Sequence, residues 1–151
     1  MTNQNILPSM RAAVVGVIDP DAYAAAAVSS GWIDASEFHD FMALVMAGTF
    51  GTNGTIDAKL EQATDGSGTG AKDIAGKAIT QLTDAGTDDD KQAIINLRMD
   101  ELDVNNTFTH FRLTVTVAVA TSDMGAVVLG MSPRYGPASD NDLASVDEIV
   151  A

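Results

Sequence analysis

Few residues of this chain have the types and spacing that catalysis requires. The two histidines, His39 and His110, lie far apart in the sequence and show no metal-ligand spacing. Cysteine is absent, which excludes thiolate catalysis, Cys-ligated zinc and iron–sulfur clusters. No serine lies in a G-x-S-x-G nucleophile elbow, and no glycine-rich run ends in the Gly-Lys pair that a phosphate-binding loop requires. The sequence therefore predicts no enzymatic activity, no catalytic residue and no cofactor.

One acidic loop is a weak candidate for a metal site, because calcium takes several oxygen ligands. It carries four aspartates, Asp84, Asp88, Asp89 and Asp90. Its order, D-A-G-T-D-D-D, departs from the EF-hand pattern, and an acidic turn is more often simply solvated. The glycine-rich run Gly66–Gly70 lies in acidic surroundings with no helix pattern after it, so it predicts a hairpin loop rather than a phosphate cradle.

The charge balance excludes several classes of partner. Eight Lys and Arg oppose 21 Asp and Glu, which gives a net charge of −13. Nucleic acids and anionic membrane surfaces repel such a chain. The longest apolar run, Phe41–Ala47, is too short to span a bilayer. The apolar segment Ala12–Ile18 follows Arg11 but ends at Asp19 without the cleavage motif of a signal peptide.

Hydrophobic alternation predicts an all-β fold. Thr55–Gln62 and His110–Ala120 alternate with period two, and Phe41–Ala47 is apolar on both faces, which is typical of a buried central strand. Gly, Asp and Asn turns separate these runs from further strands at Ala78–Leu82, Lys91–Leu97 and Ala126–Met131. We expect an antiparallel, jelly-roll-like sandwich of seven or eight strands. The predicted core comprises Phe41, Ala43, Val45, Ile56, Leu60, Ile79, Leu97, Leu113, Val115, Val117, Val127 and Leu129.

The ends of the chain differ from its middle. We expect an N-terminal arm over residues 1–18, a sandwich over 19–137 and an acidic C-terminal tail over 138–151. Ala22–Ser29 has both helix-start and strand features, and we interpret it as a strand. Met99–Val104 predicts a single helical turn between two strands.

Three segments together resemble the small β-sandwich virion proteins of tailed bacteriophages, which occur as capsid decoration (cement) or head-spike proteins. They are M-A-L-V-M-A-G (42–48), G-T-I-D-A-K-L-E-Q (54–62) leading into D-G and K-D-I-A-G, and H-F-R-L-T-V-T-V (110–117) followed by A-V-V-L-G (126–130). The order also resembles galactose-binding-type jelly rolls, although the aromatic cluster of a sugar platform is absent, since aromatics make up 5% of the chain.

The first resemblance implies a cement protein on the outer surface of a phage head, made in the host cytoplasm. Its partners are then the major capsid protein and other copies of itself, in a homo-oligomer such as a trimer. The alternative is a carbohydrate-binding module on a head fibre or in cell-surface adhesion. Candidates for contact with the capsid or with other copies are Ile6, Leu7, Pro8, Arg11, Trp32 and Arg134.

Overall fold

The computed structural model describes residues 6–151, which form an all-β fold with a few single 3-10 turns. No helix among these residues is long and apolar enough to cross a membrane. The strands are β1 (Ala12–Tyr23), β2 (Ala26–Ser29), β3 (Ile33–Asp34), β4 (Phe38–Phe50), β5 (Thr55–Ala63), β6 (Lys72–Ala78), β7 (Leu82–Thr83), β8 (Gln92–Arg98), β9 (His110–Ala118) and β10 (Ser122–Pro133).

The strands form two antiparallel sheets with jelly-roll connectivity. One sheet has the order β1-β10-β4-β8, and the other has the order β2-β9-β5-β6, with β3 beside β9 and β7 beside β5. Most connections cross from one sheet to the other, and the last strand, β10, lies between β1 and β4. This arrangement confirms the predicted jelly-roll-like sandwich.

The core lies between the inner faces of the two sheets, where period-two alternation places the large apolar side chains. The inward residues Leu113 and Val115 of β9 are 0% exposed. Phe41 of β4 packs edge-to-face on Phe38 and on Phe111, with ring centroids 5.8 and 4.6 Å apart, and joins the two sheets. Ten of the twelve predicted core residues point into this layer, although Ile79 is only partly buried.

Val127 and Leu129 do not face the core as predicted. The structure buries Ala126 and Val128 and leaves Val127 and Leu129 on the partly exposed outer face of β10. The segment A-V-V-L-G-M is apolar at both alternating sets of positions, so hydrophobicity alone does not determine its facing. The prediction of a strand at Ala78–Leu82 was also wrong, since β6 ends at Ala78 and β7 begins at Leu82.

Parts of both predicted terminal segments belong to the folded domain, and residues 1–5 of the predicted arm lie outside the described residues. Residues 12–18 are part of β1, where the inward-facing Ala13 and Ile18 are buried. The segment 138–151 begins with a 3-10 turn whose first residue, Ala138, is fully buried. Next to it, Val14 donates its N–H to Asp142 Oδ1 and accepts from the Leu143 N–H. The start of the tail therefore provides hydrogen-bond partners for backbone groups on the edge of β1, which would lack partners if that edge were uncovered.

The shorter predictions are mostly confirmed. Strand structure occupies Ala26–Ser29, and two consecutive 3-10 turns cover most of residues 99–106. The run Gly66–Gly70 lies in the connection between the antiparallel neighbours β5 and β6, as a hairpin loop does.

Candidate interaction surfaces

The outer face of the β1-β10-β4-β8 sheet is apolar over β1, β10 and β4, whereas β8 contributes Ile94 between the polar residues Gln92 and Asn96. One cross-strand row contains Val17, Val127, Leu44 and Ile94 in direct register. The neighbouring row contains Val14, Leu129, Met42 and Asn96. Met46 and Ile94 on this face are 51% and 55% exposed. The apolar stretch 41–47 is thus a central strand, as predicted, but its second face meets solvent instead of another layer.

A groove of about 700 Å³ deepens one end of this face, where β1, β10 and β4 meet. Val17, Pro20, Met46 and Val127 are among the residues that line it. Gly125 also lines it, and a Cβ at this position would lie 3.0–3.2 Å from atoms of Pro20. The bulge in β1 between Ile18 and Asp21 brings Pro20 this close to the sheet.

The outer face of the second sheet is polar and is held by the carboxylate of Glu61. Its Oε2 accepts hydrogen bonds from Arg112 Nε at 2.8 Å and from Thr114 Oγ1 at 2.6 Å, and its Oε1 lies 3.4 Å from Lys59 Nζ. Burial by itself would raise the pKa of Glu61, but these hydrogen bonds and the two cations outweigh it and leave the pKa below its usual value. Glu61 therefore stays ionised and links β5 to β9 at neutral pH.

Trp32 belongs to the packing of this polar face. The Arg112 guanidinium lies 4.5 Å from the centre of its ring. The β5–β6 loop closes on the ring edge, because a Cβ at Gly68 would lie 2.6 Å from Trp32 Nε1. One face and one edge of the only tryptophan are therefore occupied by the chain itself.

The aspartates of the acidic loop bind backbone groups of the protein. Asp84 accepts from Asn53 N at 2.8 Å, Asp88 from Thr83 N at 2.9 Å and Asp89 from Phe50 N at 2.8 Å. Asp88 also pairs with Lys91, which lowers the pKa of this carboxyl group. Among residues 6–151, no group of three or more His, Asp or Glu side chains is placed to hold a metal ion. The carboxylates of Asp84, Asp88 and Asp89 instead stabilise the β4–β5 turn and their own loop, and Asp90 is a left-handed turn residue (φ 59°).

The other predicted contact residues lie near the start of β1 and the end of β10. Leu7 is 41% exposed and precedes the 3-10 turn Pro8–Met10, which packs on β1 and on the turn at Ala138–Asn141; Ile6 is half-buried and Arg11 is exposed. Arg134 donates its backbone N–H to Glu37 O and its Nε–H to Phe38 O, so it contacts the start of β4. None of these residues lines the groove.

Comparison with known proteins identifies no family. No protein-family model matches the sequence, and no curated protein matches it. Viral capsid proteins are among its structural neighbours, for example chains of infectious bursal disease virus Gx strain (13% identity, TM-score 0.47, 85% of this chain and 35% of that chain) and of Triatoma virus (8%, 0.44, 91% and 71%). TmCBM61 in complex with β-1,4-galactotriose is another (10%, 0.36, 70% and 62%).

This chain spans about a third of the infectious bursal disease virus chain. The TM-scores of all three neighbours lie below 0.5, so the jelly-roll assignment rests on the strand order of this chain, and the likenesses carry no argument about its function.

Proposed function

We propose that this protein is a structural virion protein: a decoration protein that binds the outer surface of a tailed-phage head and bridges neighbouring capsid subunits. The observation that supports this proposal is the run of partly exposed apolar side chains across the outer face of the β1-β10-β4-β8 sheet, with charged residues only towards its ends. Contiguous exposed apolar surface of this kind marks an interaction site on a protein that is otherwise strongly charged.

The size of this face indicates modest affinity for each copy. Strands lie about 4.8 Å apart and rise about 3.3 Å per residue, so four strands over about eight residues present roughly 500 Å². Covering that surface would bury roughly 1,000 Å² on both partners together, the lower end for a specific interface. A homo-oligomer such as a trimer would engage several capsid subunits at once and gain avidity.

Two other features suit a protein of the virion surface. The net charge of −13 favours solubility at high local concentration. Buried side-chain nitrogen and oxygen atoms of the described residues all have hydrogen-bond partners, which favours one rigid packing of the sheets. In this proposal the protein has no enzymatic activity, since its sequence has no nucleophile elbow, no cysteine and no two histidines at metal-ligand spacing.

The carbohydrate-binding alternative has less support in this geometry. A sugar platform uses exposed aromatic rings, whereas Arg112 covers one face of Trp32 and the loop at Gly68 lies against its edge, so at most one ring face remains. Glycan binding that is lost in Trp32→Ala would favour this alternative over the decoration role.

The decoration role is tested by binding to purified heads that lack the protein, measured by co-sedimentation. We expect Met46→Glu to abolish binding, because it places a charge on an exposed apolar position of this face. Ala75→Glu is the matched control, since Ala75 is an exposed residue of β6 in the other sheet. Wild-type protein that fails to bind heads, or equal binding by both variants, would remove the proposal.

A further inference from the structure

We propose that the groove beside Pro20 and Gly125 binds a segment of a partner protein in which bulky apolar side chains stand next to lysine or arginine. This inference rests on the proposed function and deepens it, because it specifies the chemistry that a capsid subunit would present to the decoration protein. The partner segment would lie across β1, β10 and β4, on the most recessed part of the apolar face.

The shape of the groove fits a short segment. Its volume of about 700 Å³ lies within the range of pockets that enclose a ligand of several groups. Gly48 and Gly125 contribute no side chain to it, which lets Asp123 and Pro20 pack close to the backbone of these two strands and form the wall of the groove. Val17, Met46 and Val127 supply flexible or branched apolar walls around this floor.

The charge of the groove selects a cationic partner. The charged residues that line it are Asp21 and Asp123, and no lysine or arginine lines it. A Cβ at Gly48 would lie 2.9 Å from Asp123 Cβ, which places the Asp123 side chain on the outer face beside Met46. Among residues 6–151, neither aspartate is in an ion pair.

The chain's own cations act elsewhere. Six of them form ion pairs with acids outside the groove: Lys59, Lys72, Lys77, Lys91, Arg98 and Arg112. A second copy docked symmetrically on this groove would bring the same aspartates together, and juxtaposed like charges weaken an interface. A lysine or arginine on the partner would instead pair with Asp21 and Asp123 at the rim of an apolar contact.

The test uses three synthetic ten-residue peptides with the same Leu-Phe-Leu centre, flanked by Lys, by Gln or by Glu. Binding is followed by NMR of the full-length protein labelled at its methionine methyl groups. Met46 and Met124 line the groove, and Met99, in the turn after β8, serves as the internal reference. We expect the methyl signals of Met46 and Met124 to shift. The shifts should saturate at the lowest concentration with the Lys-flanked peptide, at a higher concentration with the Gln-flanked peptide, and not at all with the Glu-flanked peptide.

Two variants test the charge contribution. Asp123→Asn should weaken binding of the Lys-flanked peptide several-fold and reduce its dependence on salt, whereas binding of the Gln-flanked peptide should change little. Asp147→Asn, in the exposed C-terminal segment, should leave both unchanged.

Three results would overturn the inference. They are an absence of shifts at millimolar peptide, affinities that do not depend on the flanking charge, and groove signals that follow protein concentration because a second copy occupies the site. Peptide binding without binding to heads would remove the decoration role and retain the groove's specificity. Binding to heads that persists in Asp21→Asn/Asp123→Asn would retain the decoration role and remove the proposed specificity of the groove.

Discussion

Two adjacent valines of β10 allow a direct test of how this strand faces. Val128 is 0% exposed between the sheets, whereas Val127 lies on the partly exposed outer face. The substitutions Val128→Asp and Val127→Asp introduce the same charge one residue apart. They should therefore have very different effects on the free energy of unfolding.

The cost of Val128→Asp has two parts. Losing the burial of a valine side chain costs about 1.5–3 kcal/mol. Placing a carboxyl group without a partner in the core costs several kcal/mol more, so the total exceeds about 5 kcal/mol. Domains are stable by about 5–15 kcal/mol, and we expect this variant to be unfolded or to melt more than about 10 °C below the parent. Val127→Asp leaves its carboxylate in water and should cost about 1 kcal/mol.

Thermal and urea unfolding, followed by far-UV circular dichroism, measure both effects. Val128→Ala provides a folded reference if Val128→Asp does not accumulate, and it should lose about 2 kcal/mol. Equal destabilisation by the two aspartates, or a larger effect at Val127, would refute the facing of β10 and with it the apolar outer face.

Three further changes test the rest of the structure. Glu61→Gln should lower the free energy of unfolding by about 1–2 kcal/mol at pH 7, because Arg112 loses its charged partner. The folded state lowers the pKa of Glu61, so the stabilisation by its carboxylate is present above the ordinary value of 4.5 and is lost as the pH falls through the folded-state pKa; the urea midpoints of parent and variant should therefore converge in acid. Gly68→Ala should lose about 1–3 kcal/mol of stability and shift the fluorescence of Trp32, because the new Cβ meets the indole and the φ of this residue is 86°. The control Gly76→Ala, at φ 75° with no atom within 4 Å, should leave the fluorescence unchanged, and a Gly68→Ala spectrum identical to that of the parent would show that the loop does not close on the ring. Deleting residues 138–151 should lower the melting temperature and promote aggregation measured by light scattering, because the Val14 backbone groups lose their partners; a monomer of unchanged stability would contradict this role.

Local patterns predict the strands whose two faces differ in polarity. In β5, Ile56 and Leu60 alternate with Asp57 and Lys59, so the sequence indicates both the strand and its facing. In β10 both faces are apolar, and only its position between β1 and β4 determines that Val128 points inward.

The candidate surface depends on contacts that the sequence does not display. The groove forms because residues of β1, β4 and β10 meet in register and because a bulge brings Pro20 over Gly125. The sequence does carry a signal for the apolar face. In the stretches 41–47 and 126–131 both alternating sets of residues are apolar, and in the structure one set faces the core while the other lies on the uncovered outer face of the sheet. The hydrogen-bond partners of the acidic loop could not be predicted from the sequence, since Asp89 accepts from the backbone N–H of Phe50, which lies 39 residues away in the chain.

The central position of β10 has a consequence for how the chain reaches its native state. Ala12 pairs with Met131 and Phe41 with Gly130, so the first long strand and β4 both complete their pairing only through the last strand. During synthesis, β4 can pair with β8 before β10 leaves the ribosome, but β1 cannot join this sheet until β10 follows. Pairings between such distant segments are slow, and all-β domains of this kind fold over milliseconds to seconds. We therefore expect the packing of the two sheets to form only once β10 is available to insert between its two neighbours.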